Sequence, residues 1–361
     1  MALEILGGYE GANPQRAERV ERLGENTVRV APESEDGDSN YKFAFEIKVK
    51  NHAKVVRALH LDVDWQEPPQ VGTKYMANRV SIFVQHNGST WQEIRGQCDG
   101  DHVHFHLAIP PGTSCVGLHP SFGRHEVEAF LTQAAALAGA KRITFGQTAE
   151  GRPLEAAILP GLDQPEACLL GIGRFHPYES AGSYCIWGIL DLLASARGES
   201  LRRKQTFVLV PVANPDGVAH GLCKRTAWEG VNLSAEGNES NDPTACALRG
   251  LIAGVGGASQ RTVLLDAHGW MNREDGLWVY RASLEGAILA QLDQDLFPNG
   301  WRTYVRDATG PGASTGDLRQ FAAMHLGMET AVISIPWFGR SPAQMRRIGA
   351  AVTEAVLGAL P

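Results

Sequence analysis

Apolar positions along the chain change their period near residue 120, and that change divides the sequence into two textures. Upstream, Tyr41, Phe43, Phe45, Ile47 and Val49 fall on one face of an extended segment, and Lys42, Glu46, Lys48 and Lys50 on the other. A period of two is that of a strand with one buried and one wet side. Leu59, Leu61, Val63 and Trp65 repeat it, as do Val103, Phe105, Leu107 and Ile109, and Ile82 and Val84 lead into the turn dipeptide Asn87-Gly88. Short strands at this spacing predict a small antiparallel β-sandwich over residues 1–120, closed by Pro110-Pro111-Gly112. Downstream, Val127, Phe130, Leu131, Ala134 and Leu137 have helical spacing within 125–138, and 143–159 reads as a hairpin turning at Glu150-Gly151. Unbroken apolar runs then recur at 168–172, 207–210, 263–265 and 331–333, separated by helical stretches. The last helix begins at Ser341-Pro342, with Met345, Ile348, Val352, Ala355 and Val356 as its buried stripe. The fold class expected for 121–361 is α/β, a mixed and largely parallel sheet with helices on both faces.

Composition narrows the function classes. With 361 residues the chain has length for two domains. A net charge of −7 and the lack of any Lys/Arg run argue against nucleic acid as partner, since phosphate neutralisation needs a basic face. No apolar run approaches the roughly 18 residues that span a bilayer, so no membrane partner is expected. Six cysteines lie scattered without close pairs and read as small buried hydrophobes in a reducing compartment. The opening Met1-Ala2-Leu3-Glu4 shows no signal peptide, and a cytoplasmic location is the expectation.

The chemistry concentrates where two apolar runs end. The run 168–172 passes directly into Gly173-Arg174-Phe175-His176-Pro177-Tyr178-Glu179, and 263–265 into Asp266-Ala267-His268-Gly269. Open α/β sheets place ligands beyond the carboxyl ends of their strands. Glu179 follows His176 by three residues at the start of a helix predicted over 180–193, which puts both side chains on one side. His176, Glu179 and His268 thus form a two-His, one-Glu set suited to a catalytic Zn2+ with one position open. Such an ion brings water to a pKa of about 7 and polarises a carbonyl. His102, His104 and His106 also share a strand face, but this pattern reads as a solvated outer face.

Further motifs follow in order: Asn214-Pro215-Asp216-Gly217, then Arg225, then Gly230-Val231-Asn232-Leu233, then the strand ending in His268. This order resembles the zinc carboxypeptidase family, in particular its cytosolic branch with a β-sandwich before the catalytic domain. The resemblance implies that His-Pro-x-Glu supplies two zinc ligands and Asp-x-His-Gly the third. It implies that Arg225 polarises the scissile carbonyl for attack by zinc-activated water, and that Asp266 supports the site. The substrate implied is a peptide or an amide-containing small molecule.

The sequence departs from that family at two places. Where the family carries Asp-Leu-Asn-Arg, this chain has Asn232-Leu233-Ser234-Ala235, and the Asn-Arg pair that grips a terminal carboxylate is gone. Arg174, Arg273 and Arg340 are the candidates to bind an anionic group instead. The catalytic glutamate at the end of the last core strand is replaced by Ser334, which is no general base near pH 7. Glu329 stands about 16 Å back along an extended strand and is not its substitute; Asp307 and Glu274 are the remaining acids considered. The expected function is a zinc-dependent amide or peptide hydrolase. The alternatives are a zinc-containing binding protein or pseudoenzyme, an engineered inactive variant, and a deacylase using a similar ligand trio.

Overall fold

A computed structural model describes residues 3–35, 42–66, 76–162, 165, 167–257, 261–269, 274–279, 282–292, 294–298, 300–305 and 315–359. The chain divides into two compact units, Met1–Ser121 with Gly217–Arg225, and Phe122–Asp216 with Thr226–Pro361.

The first unit holds ten strands among the described residues: β1 (Leu3–Leu6), β2 (Val20–Arg22), β3 (Thr27–Val30), β4 (Glu46–Asn51), β5 (Arg57–Asp64), β6 (Ser81–His86), β7 (Gln92–Arg95), β8 (Gln97–Asp99), β9 (His102–Ile109) and β10 (Gly112–Gly117). They form two five-stranded sheets, ordered β1-β4-β10-β6-β7 and β2-β3-β5-β9-β8. All pairings are antiparallel except β3 with β5. The period-two pattern is realised directly: Ile47, Val49, Leu59, Leu61, Val63, Val103, Phe105, Leu107 and Ile109 are all buried. The apolar stretch expected as one strand over 41–49 starts its ladder later. Phe43 and Ala44 are buried but outside a strand, because their N–H groups donate to Cys223 Sγ at 3.1 Å each. Tyr41 lies outside the described residues.

The second unit runs α1 (Arg124–Ala135), β11 (Lys141–Gln147), β12 (Pro153–Leu159), β13 (Ala167–Gly173), α2 (Ser180–Leu193), α3 (Ala196–Lys204), β14 (Gln205–Val210), α4 (Pro215–Ala219, whose last three residues group with the first unit), α5 (Leu233–Glu236), α6 (Pro243–Gly256), β15 (Arg261–His268), β16 (Asp275–Val279), α7 (Ala282–Gln291), β17 (Trp301–Val305), α8 (Leu318–His325), β18 (Glu329–Ser334) and α9 (Pro342–Ala359). Its sheet has the order β11-β12-β14-β13-β15-β18-β16-β17. The centre, β14-β13-β15-β18, is parallel, and β11-β12 is the hairpin read from the sequence. Alternation within β13 sends its side chains to both faces. Leu170 and Ile172 pack with Leu248 and Ile252 of α6 and Leu318 and Ala322 of α8. Gly171 faces Ile186 and Ile189 of α2. Helices therefore cover both sides of the sheet, as its continuous apolar strands require. On the α2 side, Gly188 and Gly349 let α2 and α9 approach almost backbone to backbone. A Cβ at Gly188 would stand 1.8 Å from the Arg346 carbonyl oxygen, and one at Gly349 2.0 Å from that of Cys185. No described helix is long and apolar enough to cross a membrane.

Candidate metal centre

The parallel register places the ends of three strands side by side. Gly173 pairs with Ala267, and His268 with Ser334, the last residue of β18. β13 ends in Gly173, and the chain turns through Arg174, a non-glycine residue at φ 64°. Arg174 is held there by donating to the carbonyls of Pro177 and Phe122, both at 2.6 Å. The turn delivers His176 and then Glu179, the residue that caps α2. Helix α2 is allowed close to β15 by Gly182, where a Cβ would meet the Ala267 carbonyl oxygen at 2.0 Å. Gly269 is less tight but still close, since a Cβ there would lie 3.1 Å from the Cβ of Glu179. The small residues around the two motifs thus let Glu179 reach His268.

The result is a convergent set. His176 Nδ1 is 2.9 Å from Glu179 Oε1, and His268 Nδ1 is 2.6 Å from Glu179 Oε2. One ligand atom from each of the three residues lies within 4.8 Å of the other two. The far nitrogens are held as well. His268 Nε2 donates to Asp266 Oδ2 at 2.8 Å, and His176 Nε2 to Asn232 Oδ1 at 3.2 Å, with Ser234 Oγ also 3.2 Å away. Fixing the outer nitrogen of an imidazole sets which nitrogen faces inward.

Behind His268 lies a buried ionic chain. Arg319 of α8 stands 3.5 Å from Asp266 and makes two side-chain bonds to Asp317, the N-cap of α8. Arg319 thus lies between two buried carboxylates, Asp266 and Asp317, while Glu179 is paired with the two histidines. In the metal-free centre, burial works to raise the Glu179 carboxyl, but His176 and His268 outweigh it and hold it down at about 2. Burial likewise works to lower the His268 imidazole, but Asp266 and Glu179 overcome it and push it up to about 10. The donor set and its orientation fit a zinc-like ion.

Other sequence-selected residues have distinct surroundings. Ser334 is fully buried beside His268, and its hydroxyl finds no hydrogen-bond partner among the described residues. Ser234 donates to Asn232 Oδ1 at 3.0 Å and so helps hold His176. Arg340 pairs with Asp275 through two bonds of 2.6 Å, and Arg174 donates to the carbonyls of Pro177 and Phe122. Glu274 pairs with Arg302. Arg273 and Asp307 lie outside the described residues. Arg225 belongs to the first unit, where its backbone N–H donates to Glu35 Oε1 at 2.8 Å. Asp216 of the Asn-Pro-Asp-Gly motif accepts from Thr148 Oγ1 at 2.7 Å and Arg152 at 2.8 Å, which ties the β11–β12 turn to the end of β14. Arg319, Asp317 and Gly182 had escaped the sequence reading. The one available signal was the Asp317 cap before an amphipathic run, and it does not announce a metal centre.

Residues 128–243 match the family model for zinc carboxypeptidases, a segment that contains His176, Glu179, Arg225 and Asn232. Among curated relatives, cytosolic carboxypeptidase 1 of Xenopus laevis is 32% identical over 122 residues, covering 32% of this chain and 10% of that protein. Human cytosolic carboxypeptidase-like protein 5 is 41% identical over 66 residues, 18% of this chain and 7% of that protein. The chain therefore spans about a tenth or less of these relatives' length. Solved structures extend the likeness in fold to the whole chain. A metallo-carboxypeptidase from Burkholderia cenocepacia superposes with a TM-score of 0.78 at 17% identity, over 99% of this chain and 98% of that one. A metallo-carboxypeptidase from Pseudomonas aeruginosa, in complex with (2-guanidinoethylmercapto)succinic acid, gives 0.78 at 18% identity over 98% of each.

Proposed function

We propose that the chain is a zinc-dependent hydrolase of amide bonds, with a peptide or an amide-containing small molecule as substrate and His176, Glu179 and His268 as the zinc ligands. The observation that carries this reading is the convergence of two imidazole nitrogens and a carboxylate with both outer nitrogens already held. A zinc ion there would supply a Lewis acid for the substrate carbonyl and acidity for water. Asp266 and Asn232 orient the two imidazoles, and Gly182 and Gly269 bring Glu179 between them. Arg225 enters as the group that polarises the carbonyl, on the strength of its place in the motif order. The diversion of Ser234 to Asn232, together with the methyl of Ala235, favours substrates without a free terminal carboxylate. A cytoplasmic setting agrees with six cysteines that form no disulfide.

Ser334 favours a second reading, a zinc-containing binding protein that does not turn its ligand over. Among the described residues, Glu179 and Asp266 are paired with histidines, Asp317 with Arg319 and Asp275 with Arg340. Hydrolysis of an amide library by the chain and by Ser334→Glu separates the readings. Turnover by the unaltered chain supports the hydrolase; turnover only in Ser334→Glu, or tight binding without turnover in both, supports the binding protein. Loss of no zinc in His176→Ala would remove the ground from both.

A further inference from the structure

Arg319 occupies a place where a buried cation needs an explanation. It lies in the first turn of α8, the end of a helix that disfavours positive charge, and it is only 6% exposed. Leu318 and Ala322 pack into the core beside β13 and draw the start of the helix inward. Asp317 caps the helix by accepting from the N–H groups of Arg319 and Gln320 at 2.8 and 3.3 Å. The same carboxylate accepts from Arg319 Nε at 2.8 Å and Nη2 at 2.7 Å, which locks the guanidinium in one plane. The third nitrogen, Nη1, stands 3.5 Å from Asp266 Oδ2, the oxygen that accepts from His268 Nε2 at 2.8 Å.

Charge balance alone does not require that last contact, because Asp317 already matches the guanidinium one to one. Asp266, in turn, is fully buried, and its other oxygen, Oδ1, has no hydrogen-bond partner among the described residues. Among those residues the carboxylate is held through Oδ2, with an imidazole on one side and a guanidinium on the other. The His268 ring needs such a hold. Phe175 lies against it nearly parallel, at 19° with centroids 6.1 Å apart. That packing limits the tilt of the ring but not a half-turn about its Cβ–Cγ bond, which keeps the plane and puts a carbon where Nδ1 stood. An acceptor fixed at Nε2 distinguishes the two orientations.

We propose that Arg319 is a positioning residue for the metal centre: by holding Asp266 against the outer nitrogen of His268, it keeps His268 Nδ1 turned toward Glu179. This role rests on the reading of His176, Glu179 and His268 as zinc ligands, and Arg319 acts on them through Asp266. A lysine does not replace it, since one ammonium cannot take both oxygens of Asp317 through a planar fork and present a further donor to Asp266.

A double-mutant cycle on the full chain tests the role, with zinc affinity measured against a competing chelator. The four proteins are the unaltered chain, Arg319→Gln, Asp266→Ala and the double variant. Arg319→Gln is expected to weaken zinc binding about 10-fold, the low end for loss of an outer partner. It should add no further loss once Asp266→Ala is present. Arg319→Lys should fall with Arg319→Gln, and it takes that place in the cycle if Arg319→Gln does not fold. Unchanged affinity in the arginine variants would overturn the proposal. So would losses that simply add in the double variant, since Arg319 would then serve the fold by another route. The metal-free chain gives a readout independent of zinc. The proton on His268 Nε2, identified by NMR through its absence in His268→Gln, should exchange with water about 5-fold faster in Arg319→Lys, the factor for one weakened hydrogen bond. An unchanged rate would count against the proposal whatever the zinc result. If the unaltered chain takes up no zinc, or His176→Ala holds it as tightly, the reading of the centre fails and the exchange rate alone decides the role of Arg319.

Discussion

At the scale of single residues, the centre depends on what stands behind its ligands. Asp266 touches no ion, yet it fixes the outer nitrogen of His268 and is itself flanked by Arg319. Removing such a partner lowers metal affinity by roughly 10–100-fold in comparable sites. Asp266→Ala is therefore expected to weaken zinc binding by about that factor in a competition titration; an unchanged affinity would mean that packing alone orients His268. The same residue sets a pH dependence. Because Asp266 and Glu179 hold His268 at about 10, its imidazole carries both protons in the metal-free chain at pH 7, one of them on the nitrogen that faces Glu179. Zinc must displace that proton, so binding should tighten as pH rises and weaken as it falls. Calorimetry at pH 7 in buffers of different ionisation enthalpy should find at least one proton released per zinc taken up at this centre. No release would show that His268 is already neutral.

At the scale of elements, glycines decide how closely helices approach the strands that carry the ligands. Helix α2 presents Gly182 to β15 and Gly188 to α9, and α9 answers with Gly349. A methyl at Gly188 or Gly349 would sit at about half the ordinary contact distance from a backbone oxygen, and the two helices would have to move apart. Overpacking of this kind costs on the order of 1–3 kcal/mol or more. Gly349→Ala should lower the denaturation midpoint accordingly while leaving the zinc stoichiometry at the centre intact. Gly182→Ala, at the end of α2 that carries Glu179, should lower both. Equal behaviour of the two variants would argue that α2 does not transmit its position to Glu179.

At the scale of the whole molecule, what could be read from sequence followed from periodicity and from motif order. The continuous runs at 168–172, 207–210, 263–265 and 331–333 became the central strands β13, β14, β15 and β18, and the Ser341-Pro342 signal marks the start of α9. The three proposed ligands were visible because His176 and Glu179 lie in the turn after β13 and His268 ends β15, so that chain connectivity brings them to one edge. Less was visible where distant segments meet. Nothing in the local sequence says that Gly217–Arg225 groups with the first unit, or that Cys223 Sγ accepts from Phe43 and Ala44. Nor does it say that Arg319, some fifty residues past His268, closes the charge network behind it. The row His102, His104, His106 reads as a wet face, and the neighbours it meets there, His60 and Asp62, come from β5 and cannot be seen in a single strand.

The central claim is that two imidazoles and one carboxylate of the second unit share one ion, and zinc K-edge X-ray absorption addresses it directly. The sample is the zinc-loaded chain, in which His176, Glu179 and His268 are the candidate ligands. The account predicts a coordination shell of nitrogen and oxygen at about 2.0–2.2 Å, with multiple scattering from two imidazole rings that falls to one in His176→Ala. A spectrum without imidazole scattering, or one unchanged by His176→Ala, would contradict it.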